Sequence, residues 1–255
     1  MERGEGQHYM GIYDKARGHV PDDVLEKLRG VSAATAWGAL VRHGIRKPYM
    51  MGIKPLATGD VYPMVGRART LRYVPLREDL LPYLREAGMD NPQRDAIEHV
   101  EPGDIFVVDA MGSLEAGTMG DILASRIKKR GAAGIVADGC VRDSPYIKRM
   151  GIPVYTRGVH PAANTSAILP LEHDGPIQCG GVTVLPGDVL LGDEEGVVVI
   201  PPHLAGEIAE HGPEHEALEV FLRQKIDEGY SIAEAYPPNE RVRAEYEALK
   251  PKPRS

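Results

Sequence analysis

Residues 103–143 read GDIFVVDAMGSLEAGTMGDILASRIKKRGAAGIVADGCVRD, and this stretch decides the fold class. It opens with a turn at Gly103-Asp104 and an unbroken apolar run, Ile105-Phe106-Val107-Val108, ending at Asp109. A run that is apolar at every position, not every second one, fits a strand buried on both faces. A glycine-rich loop over 111–120 follows. The next segment predicts a helix over about 121–130, with Ile122, Leu123 and Ile127 on one side and Arg126, Lys129 and Arg130 elsewhere. Gly131 supplies its stop. Gly134-Ile135-Val136-Ala137-Asp138 is a second buried strand, and the polar block Asp138-Gly139-Cys140-Val141-Arg142-Asp143 sits at its end. A short helix over 144–150 and a third strand at Pro153-Val154-Tyr155 continue the alternation. Strand, helix, strand, helix, strand implies parallel pairing covered by helices, an α/β architecture.

Outward from this core the pattern is less regular. Residues 1–21 form an N-terminal arm without a strong period. Pro21-Asp22-Asp23-Val24 starts a helix, with acids in its first turn. Ser32 caps a second helix through Thr35, Trp37 and Leu40 to Val41, which His43-Gly44 ends. Residues 47–65 read as loop, and Val65 to Val74 as a strand. The polar segment 76–100, punctuated by Pro82 and Pro92, is a helical excursion from the core. Beyond 176, Val182-Thr183-Val184, Val189-Leu190-Leu191 and Val197-Val198-Val199-Ile200 are short strands in antiparallel hairpins. A charged helix spans about 203–228, with an interruption expected at Gly212-Pro213. Residues 231–255 form a C-terminal helical arm, its helix at about 238–249, placed on the surface or clasping a neighbouring subunit. The main domain is then 22–230.

Composition narrows the class. The 255-residue chain is 42% hydrophobic but only 5% aromatic, so the core is mostly aliphatic. A net charge of −7 argues against non-specific nucleic-acid binding, which needs clustered Lys and Arg. No apolar run approaches the roughly eighteen residues of a membrane span. The polar N-terminus lacks the apolar stretch of a signal peptide. Two cysteines, Cys140 and Cys179, make no disulfide framework and suit a reducing cytoplasm.

Chemistry concentrates at two places. In the loop 111–120, Gly112, Gly117 and Gly120 let the backbone approach a ligand, and the helix starting at Asp121 aims its free amides into the loop. That seats a carboxylate or phosphate, although a plain tight turn would also use these glycines. The block 138–143 lies beyond a parallel strand, where open α/β sheets bind ligands. Arg142 can grip a carboxylate or oxo group with two donors. Asp143 is a hard oxygen ligand for Mg²⁺ or Mn²⁺, and Asp121 is placed to contact a water of such an ion. The alternative is that Arg142 and Asp143 merely pair with other charges at a helix start. His211 and His215, four apart, have a metal-ligand spacing, but Gly212-Pro213 between them argues against a regular helix. Asp193-Glu194-Glu195 reads as a solvated turn, Lys128-Lys129-Arg130 as a solvated helix end, and His160 as structural.

The runs Gly120-Asp121-Ile122-Leu123, Lys129 to Asp143, Gly151 to Gly158 and Pro186 to Pro201 closely resemble the RraA-like family. That family includes class II pyruvate aldolases acting on 4-hydroxy-4-methyl-2-oxoglutarate and 4-carboxy-4-hydroxy-2-oxoadipate, and protein regulators of ribonuclease E. The resemblance covers about 22–230 apart from 76–100. It implies a swivelling β/β/α sandwich like that of phosphohistidine domains, in homotrimers or homohexamers with the site between subunits. It implies that Asp143 binds Mg²⁺ or Mn²⁺ directly and Asp121 through water. It also implies that Arg142 contacts the pyruvyl part and steadies the enolate, and that the backbone of Gly120, Asp121, Ile122 and Leu123 holds the pyruvate carboxylate. A glutamate from a neighbouring subunit's late helix would act on the metal through water, with Glu219 the first candidate and Glu216 the second.

Three readings follow. The leading one is a metal-dependent aldolase that yields pyruvate from a 4-hydroxy-2-oxo acid, with oxaloacetate decarboxylation sharing the same enolate. A regulator of ribonuclease E is the rival, and an enzyme of the same fold on another sugar acid or hydroxy acid the third. Two departures from the family bear on the substrate. The helix motif Thr35-Ala36-Trp37-Gly38-Ala39-Leu40 lacks the family's acid, and Cys140 replaces the more common alanine beside the site.

Overall fold

The run 105–108 is buried on both sides: Phe106 and Val108 join one core, Ile105 and Val107 another. The computed structural model describes residues 18–57, 63–88 and 91–250, so most of the N-terminal arm lies outside the described residues. Helices α1 (Asp22–Leu28) and α2 (Ala33–Arg42) precede strands β1 (Lys54–Pro55) and β2 (Met64–Pro75). The 76–100 segment carries a 3-10 turn at Glu78–Leu80, α3 (Leu81–Glu86) and α4 (Pro92–Glu98). The central alternation is β3 (Asp104–Gly117), α5 (Asp121–Lys129), β4 (Gly134–Val141), α6 (Ser144–Ile147) and β5 (Val154–Val159). Short strands follow: β6 (Ile168–His173), β7 (Ile177–Cys179), β8 (Val182–Val184), β9 (Val189–Gly192) and β10 (Val197–Ile200). Helices α7 (Pro202–Asp227), α8 (Ile232–Ala235) and α9 (Glu240–Leu249) end the chain's described part.

The expected parallel core is present: β2, β3, β4 and β5 run parallel in consecutive pairs. The sheet order is β1-β5-β4-β3-β2-β9-β10, with β6 also on β2. It nearly closes on itself. Met50 N donates to Val197 O on β10, while β1, four residues later, pairs with β5 at the other end. The concave side is filled by Ile105, Val107, Val136, Tyr155 and Leu190, and the β7–β8 hairpin packs Ile177, Cys179 and Val184 onto it as a second β layer. Helices α4, α5 and α6 cover the other face of β3 and β4 through Ile97, Ile127 and Ile147. Helices α1, α2 and α7 cover β9 and β10 through Leu28, Leu40 and Ile208. The fold is therefore the mixed α/β arrangement of two β layers and helices that the sequence predicts. Among the described residues no helix is long and apolar enough to cross a membrane.

Several local expectations change. The 111–120 loop returns to the sheet: Asp109 pairs opposite Asp138 and Gly117 opposite Cys140, so eight positions of β3 span two of β4. The glycine segment is an outward bulge that rejoins the ladder at Gly117. Strand β4 extends to Val141, beyond the expected end at Asp138, so only Arg142 and Asp143 project past it. The hairpin at β9–β10 is as expected, but β8 pairs with β7, a strand the sequence reading misses together with β6. Helix α7 runs unbroken through Gly212-Pro213. Gly212 lets it lie close on the α1–α2 connection, where a Cβ would come 2.5 Å from Val31 Cγ2. Burial along α7 outweighs proline's penalty of about 3 kcal/mol. Helix α9 packs on its own chain: Val242 and Tyr246 join Phe221, Leu222 and Leu218 of α7.

Candidate functional site

Because Gly117 rejoins the ladder opposite Cys140, the segment 117–120 runs beside 140–143 and is stitched to it. Thr118 donates from its amide (2.7 Å) and its hydroxyl (3.0 Å) to Cys140 O, and Arg142 N donates to Met119 O at 2.9 Å. Gly117 makes this approach possible, since a Cβ there would sit 2.9 Å from Arg142 N. Gly120 is the N-cap of α5 at φ −112°, ψ −170°, a conformation any residue adopts. Its glycine is a matter of space: a Cβ would run into Asp143 Oδ2 and lie 3.3 Å from both Cγ and Nε of Arg142.

Asp143 caps α6 in the left-handed region, at φ 56° and ψ 33°, which Asp tolerates better than most residues. Its Oδ2 accepts from Arg142 Nε at 3.1 Å, and both side chains remain partly exposed. Asp121 opens α5, and its Oδ1 accepts from Ile122 N at 2.8 Å. Ala124 N is engaged by Gly120 O at 3.0 Å. Among the described residues, the amides of Asp121 and Leu123 have no acceptor, so the first turn keeps donors for an anion.

Gly120, Asp121, Ile122, Leu123, Arg142 and Asp143 all line one cavity of about 500 Å³. The structure thus brings together every residue that the sequence reading places on this chain's side of the site. The rest of the lining, which that reading misses, comes from the 76–100 excursion and from 163–165. Gln93, 5% exposed, ties this part of the lining to the 117–120 segment. It donates to Thr118 O at 2.8 Å and accepts from Asn164 Nδ2 at 3.0 Å. Tyr73 OH also donates to Thr118 O at 3.1 Å, and burial pushes that phenol far above its ordinary range despite a hydrogen bond from Asn164.

Two carboxylates on one wall of an open cavity suit Mg²⁺ or Mn²⁺, which keep most of their waters and take one or two protein carboxylates. A complete protein cage is not formed: among the described residues no group of three His, Cys, Asp or Glu side chains gathers at metal-binding distances. Glu219 lies elsewhere on this chain, on α7, 3.4 Å from His215 and 3.6 Å from Arg223. Glu216 accepts from Ser32 N at 2.9 Å. Partial burial raises its carboxyl, but hydrogen bonds from Ser32 and Thr35 hold it below the usual range. It serves the start of α2, as does Asp193, whose Oδ2 takes Ala33 N at 2.8 Å and which is therefore more than a solvated turn.

Other candidates fall away from the cavity. The Cys140 thiol is buried, pushed up by that burial, and directed at Leu114 O, so only its carbonyl serves the site. Asp138, 1% exposed, binds Arg157, Gln178 and Gly180 N and braces the β7 hairpin. His160 accepts from Ala162 N at 3.2 Å, a structural role. A larger cavity of about 640 Å³ is lined by α2, α7 and α9 and includes His211 and His215, but among the described residues it holds no metal-binding group of three and none of the site residues above.

The chain is similar to several known proteins. The family model described as RraA-like, Aldolase/RraA, matches residues 22–199. A Halalkalibacterium halodurans protein named "putative 4-hydroxy-4-methyl-2-oxoglutarate aldolase" is 32% identical over 184 residues, covering 72% of this chain and 80% of that protein. An Alkalilimnicola ehrlichii protein of the same name is 37% identical over 106 residues, or 42% of this chain and 65% of that one. The crystal structure of Streptomyces coelicolor RraAS2, described as an unusual member of the RNase ES inhibitor RraA protein family, superposes with a TM-score of 0.71 at 36% identity. It covers 81% of this chain and 98% of that chain.

Proposed function

The chain belongs to the RraA-like family, and from that premise we propose that it is a divalent-metal-dependent carbon–carbon lyase. It cleaves a 4-hydroxy-2-oxo acid to pyruvate and a second oxo acid, with oxaloacetate decarboxylation as a side activity. The observation that carries this reading is the joint presence of Asp143, Arg142, Asp121 and the open first turn of α5 in one cavity.

Each group has a role its geometry permits. The amides of Asp121 and Leu123 hold the substrate carboxylate at the positive end of α5. Arg142, held by Asp143 at 3.1 Å, points its guanidinium at the 2-oxo oxygen and stabilises the negative charge that develops there. Asp143 and, through water, Asp121 would hold Mg²⁺ or Mn²⁺, which when bound polarises the 2-oxo group. As the C3–C4 bond breaks, its electron pair becomes the enolate of pyruvate. Asp121 positions the water that takes the 4-hydroxyl proton and returns one to C3. Decarboxylation uses the same enolate with carbon dioxide as the leaving group.

A second copy of the chain completes the site in this reading. Ile122, which lines the cavity, is 78% exposed, an apolar side chain left open for cover by a second copy. Glu219 of the neighbouring copy is the first candidate to reach in.

The test is pyruvate release from 4-hydroxy-4-methyl-2-oxoglutarate and from oxaloacetate, with Mg²⁺ and with chelator. Release from either, lost on chelation, is expected; none from both at high protein concentration refutes the proposal. The regulator reading keeps its place because of the 36% identity to RraAS2. Binding to a ribonuclease E C-terminal segment without pyruvate release would favour it.

A further inference from the structure

Thr118 stands two residues before the N-cap of α5, and each of its polar atoms is engaged. Its amide and hydroxyl donate to Cys140 O. Its carbonyl accepts from Gln93 Nε2 at 2.8 Å and from Tyr73 OH at 3.1 Å, which uses both lone pairs. One further side chain joins the two donors. Asn164 Nδ2 donates to Tyr73 OH at 3.2 Å and to Gln93 Oε1 at 3.0 Å, and Asn164 Oδ1 accepts from Thr165 N at 2.8 Å. The ring has a single polarity. A carbonyl oxygen only accepts, so Gln93 turns its NH₂ group to Thr118 and its oxygen to Asn164.

The ring is largely out of water: Thr118 and Tyr73 are 1% exposed and Gln93 is 5% exposed. A buried carbonyl left without a donor is costly, so the donors fix where this peptide group can sit. They come from distant segments. Tyr73 belongs to β2. Gln93 lies in the first turn of α4, where Asn91 Oδ1 takes its amide at 2.9 Å, and α4 is anchored in the core through Ala96 and Ile97. The peptide they hold leads directly into the site. Met119, the next residue, accepts Arg142 N at 2.9 Å, and Gly120 after it opens α5.

We propose that Gln93 is a positioning residue of the site. Through Thr118 O it sets the first turn of α5, which takes the substrate carboxylate, and the backbone from which Arg142 reaches the 2-oxo oxygen. The inference rests on the lyase reading for the roles of those two groups. Gln93 acts only through Thr118 and touches no reacting atom. Because α4 carries it, correct docking of the 76–100 excursion becomes a condition of activity.

Gln93→Glu tests this with nearly unchanged shape. The neutral acid can still donate an O–H to Thr118 O; the carboxylate sets an acceptor against an acceptor. Burial raises the carboxyl of such a side chain, so the change falls within a scan from about pH 5.5 to about pH 8.5. Two quantities are compared with wild type at each pH, with melting curves to show that both chains are folded. One is kcat/KM for pyruvate release. The other is hydrogen exchange in peptides covering 117–124 and 140–143, which needs no activity. Near pH 5.5 the variant stays within about threefold of wild type; near pH 8.5 it falls about tenfold or more below, and the two peptides exchange faster. Tyr73→Phe removes the second donor without adding a charge, and it speeds exchange in the same peptides at every pH. A folded Gln93→Glu chain whose ratio to wild type is flat with pH, or a Tyr73→Phe chain with unchanged exchange in these peptides, overturns the proposal. Exchange that responds as expected, in a wild-type chain that releases no pyruvate, keeps the control of this segment by Gln93 and removes the lyase reading. Normal pyruvate release with exchange and activity ratio both unmoved keeps the lyase reading and removes the positioning role.

Discussion

Replacing Gly120 by alanine tests whether the position of Asp143 matters. The backbone at φ −112° accepts alanine without strain, so the added methyl acts only through contact. It would overlap Asp143 Oδ2 and press on Arg142 Cγ and Nε at 3.3 Å. Asp143 cannot yield through its backbone, because its carbonyl accepts from Tyr146 N at 3.0 Å and Ile147 N at 3.3 Å in the first turn of α6. The carboxylate must swing by about 1 Å to restore ordinary van der Waals separation, breaking its 3.1 Å contact with Arg142. A displacement of that size in a reacting group costs about 10²-fold in rate. Stability changes little. Crowding a partly exposed carboxylate costs about 1 kcal/mol, and the reduced freedom of the unfolded chain returns 0.4 to about 1 kcal/mol. The assay is pyruvate release coupled to reduction by lactate dehydrogenase, beside a melting curve. The expected result is a loss of about 10² in kcat/KM with a melting temperature within about 3 °C of wild type. A folded Gly120→Ala chain with kcat/KM within about threefold of wild type refutes the reasoning.

Asp143→Asn keeps a side chain that tolerates the left-handed conformation, so the fold survives while pyruvate release falls about 10²-fold or more. Chelator abolishes release and added Mg²⁺ or Mn²⁺ restores it. At about a hundred times its Kd the metal raises the melting temperature by about 5 °C, and Asp143→Asn removes that rise. Asp188 is buried in the turn before β9 and its carboxyl is pushed up to about 6, burial outweighing the hydrogen bond from Leu185 N. A raised carboxyl favours the protonated folded state, so its contribution is full below about pH 4 and is lost as pH rises towards 6, by up to about 3 kcal/mol. Asp188→Asn should remove that slope in denaturant titrations between pH 4 and 7; a slope that persists unchanged places its origin in other groups.

The parallel core was legible because its strands are apolar at every position, a pattern that burial on both faces demands at Ile105–Val108 and Ile135–Ala137. The start of α2 was legible from Ser32, whose hydroxyl takes Thr35 N at 3.1 Å. What escaped depends on contacts far along the chain. The return of β3 to pair at Gly117 is a matter of register against β4, and no local signal marks it. The continuity of α7 through Pro213 rests on packing against α1 and α2, which overrides a local breaker. Strand β6 is short, contains Pro170 and is specified by its pairing with β2. At the site, Gly120, Asp121, Arg142 and Asp143 were readable because their residue types carry the chemistry. Gln93 and Asn164 were not, because a polar helix start and a polar loop look solvated until the fold closes them over Thr118. Cys140 misled in the opposite way: it stands two residues before Arg142, but its thiol is buried and directed at Leu114 O, and it does not line the cavity.

The central claim is that this cavity generates the enolate of pyruvate, whatever fragment leaves. Reversibility makes that step visible with pyruvate alone, because an enolate formed in D₂O takes up deuterium at its methyl carbon. Proton NMR of pyruvate with the protein and Mg²⁺ in D₂O is therefore the most direct measurement. The account predicts steady loss of the methyl signal well above the protein-free rate, abolished by chelator and by Asp143→Asn. A methyl signal that decays no faster with the folded, Mg²⁺-supplied protein than without it would contradict the account.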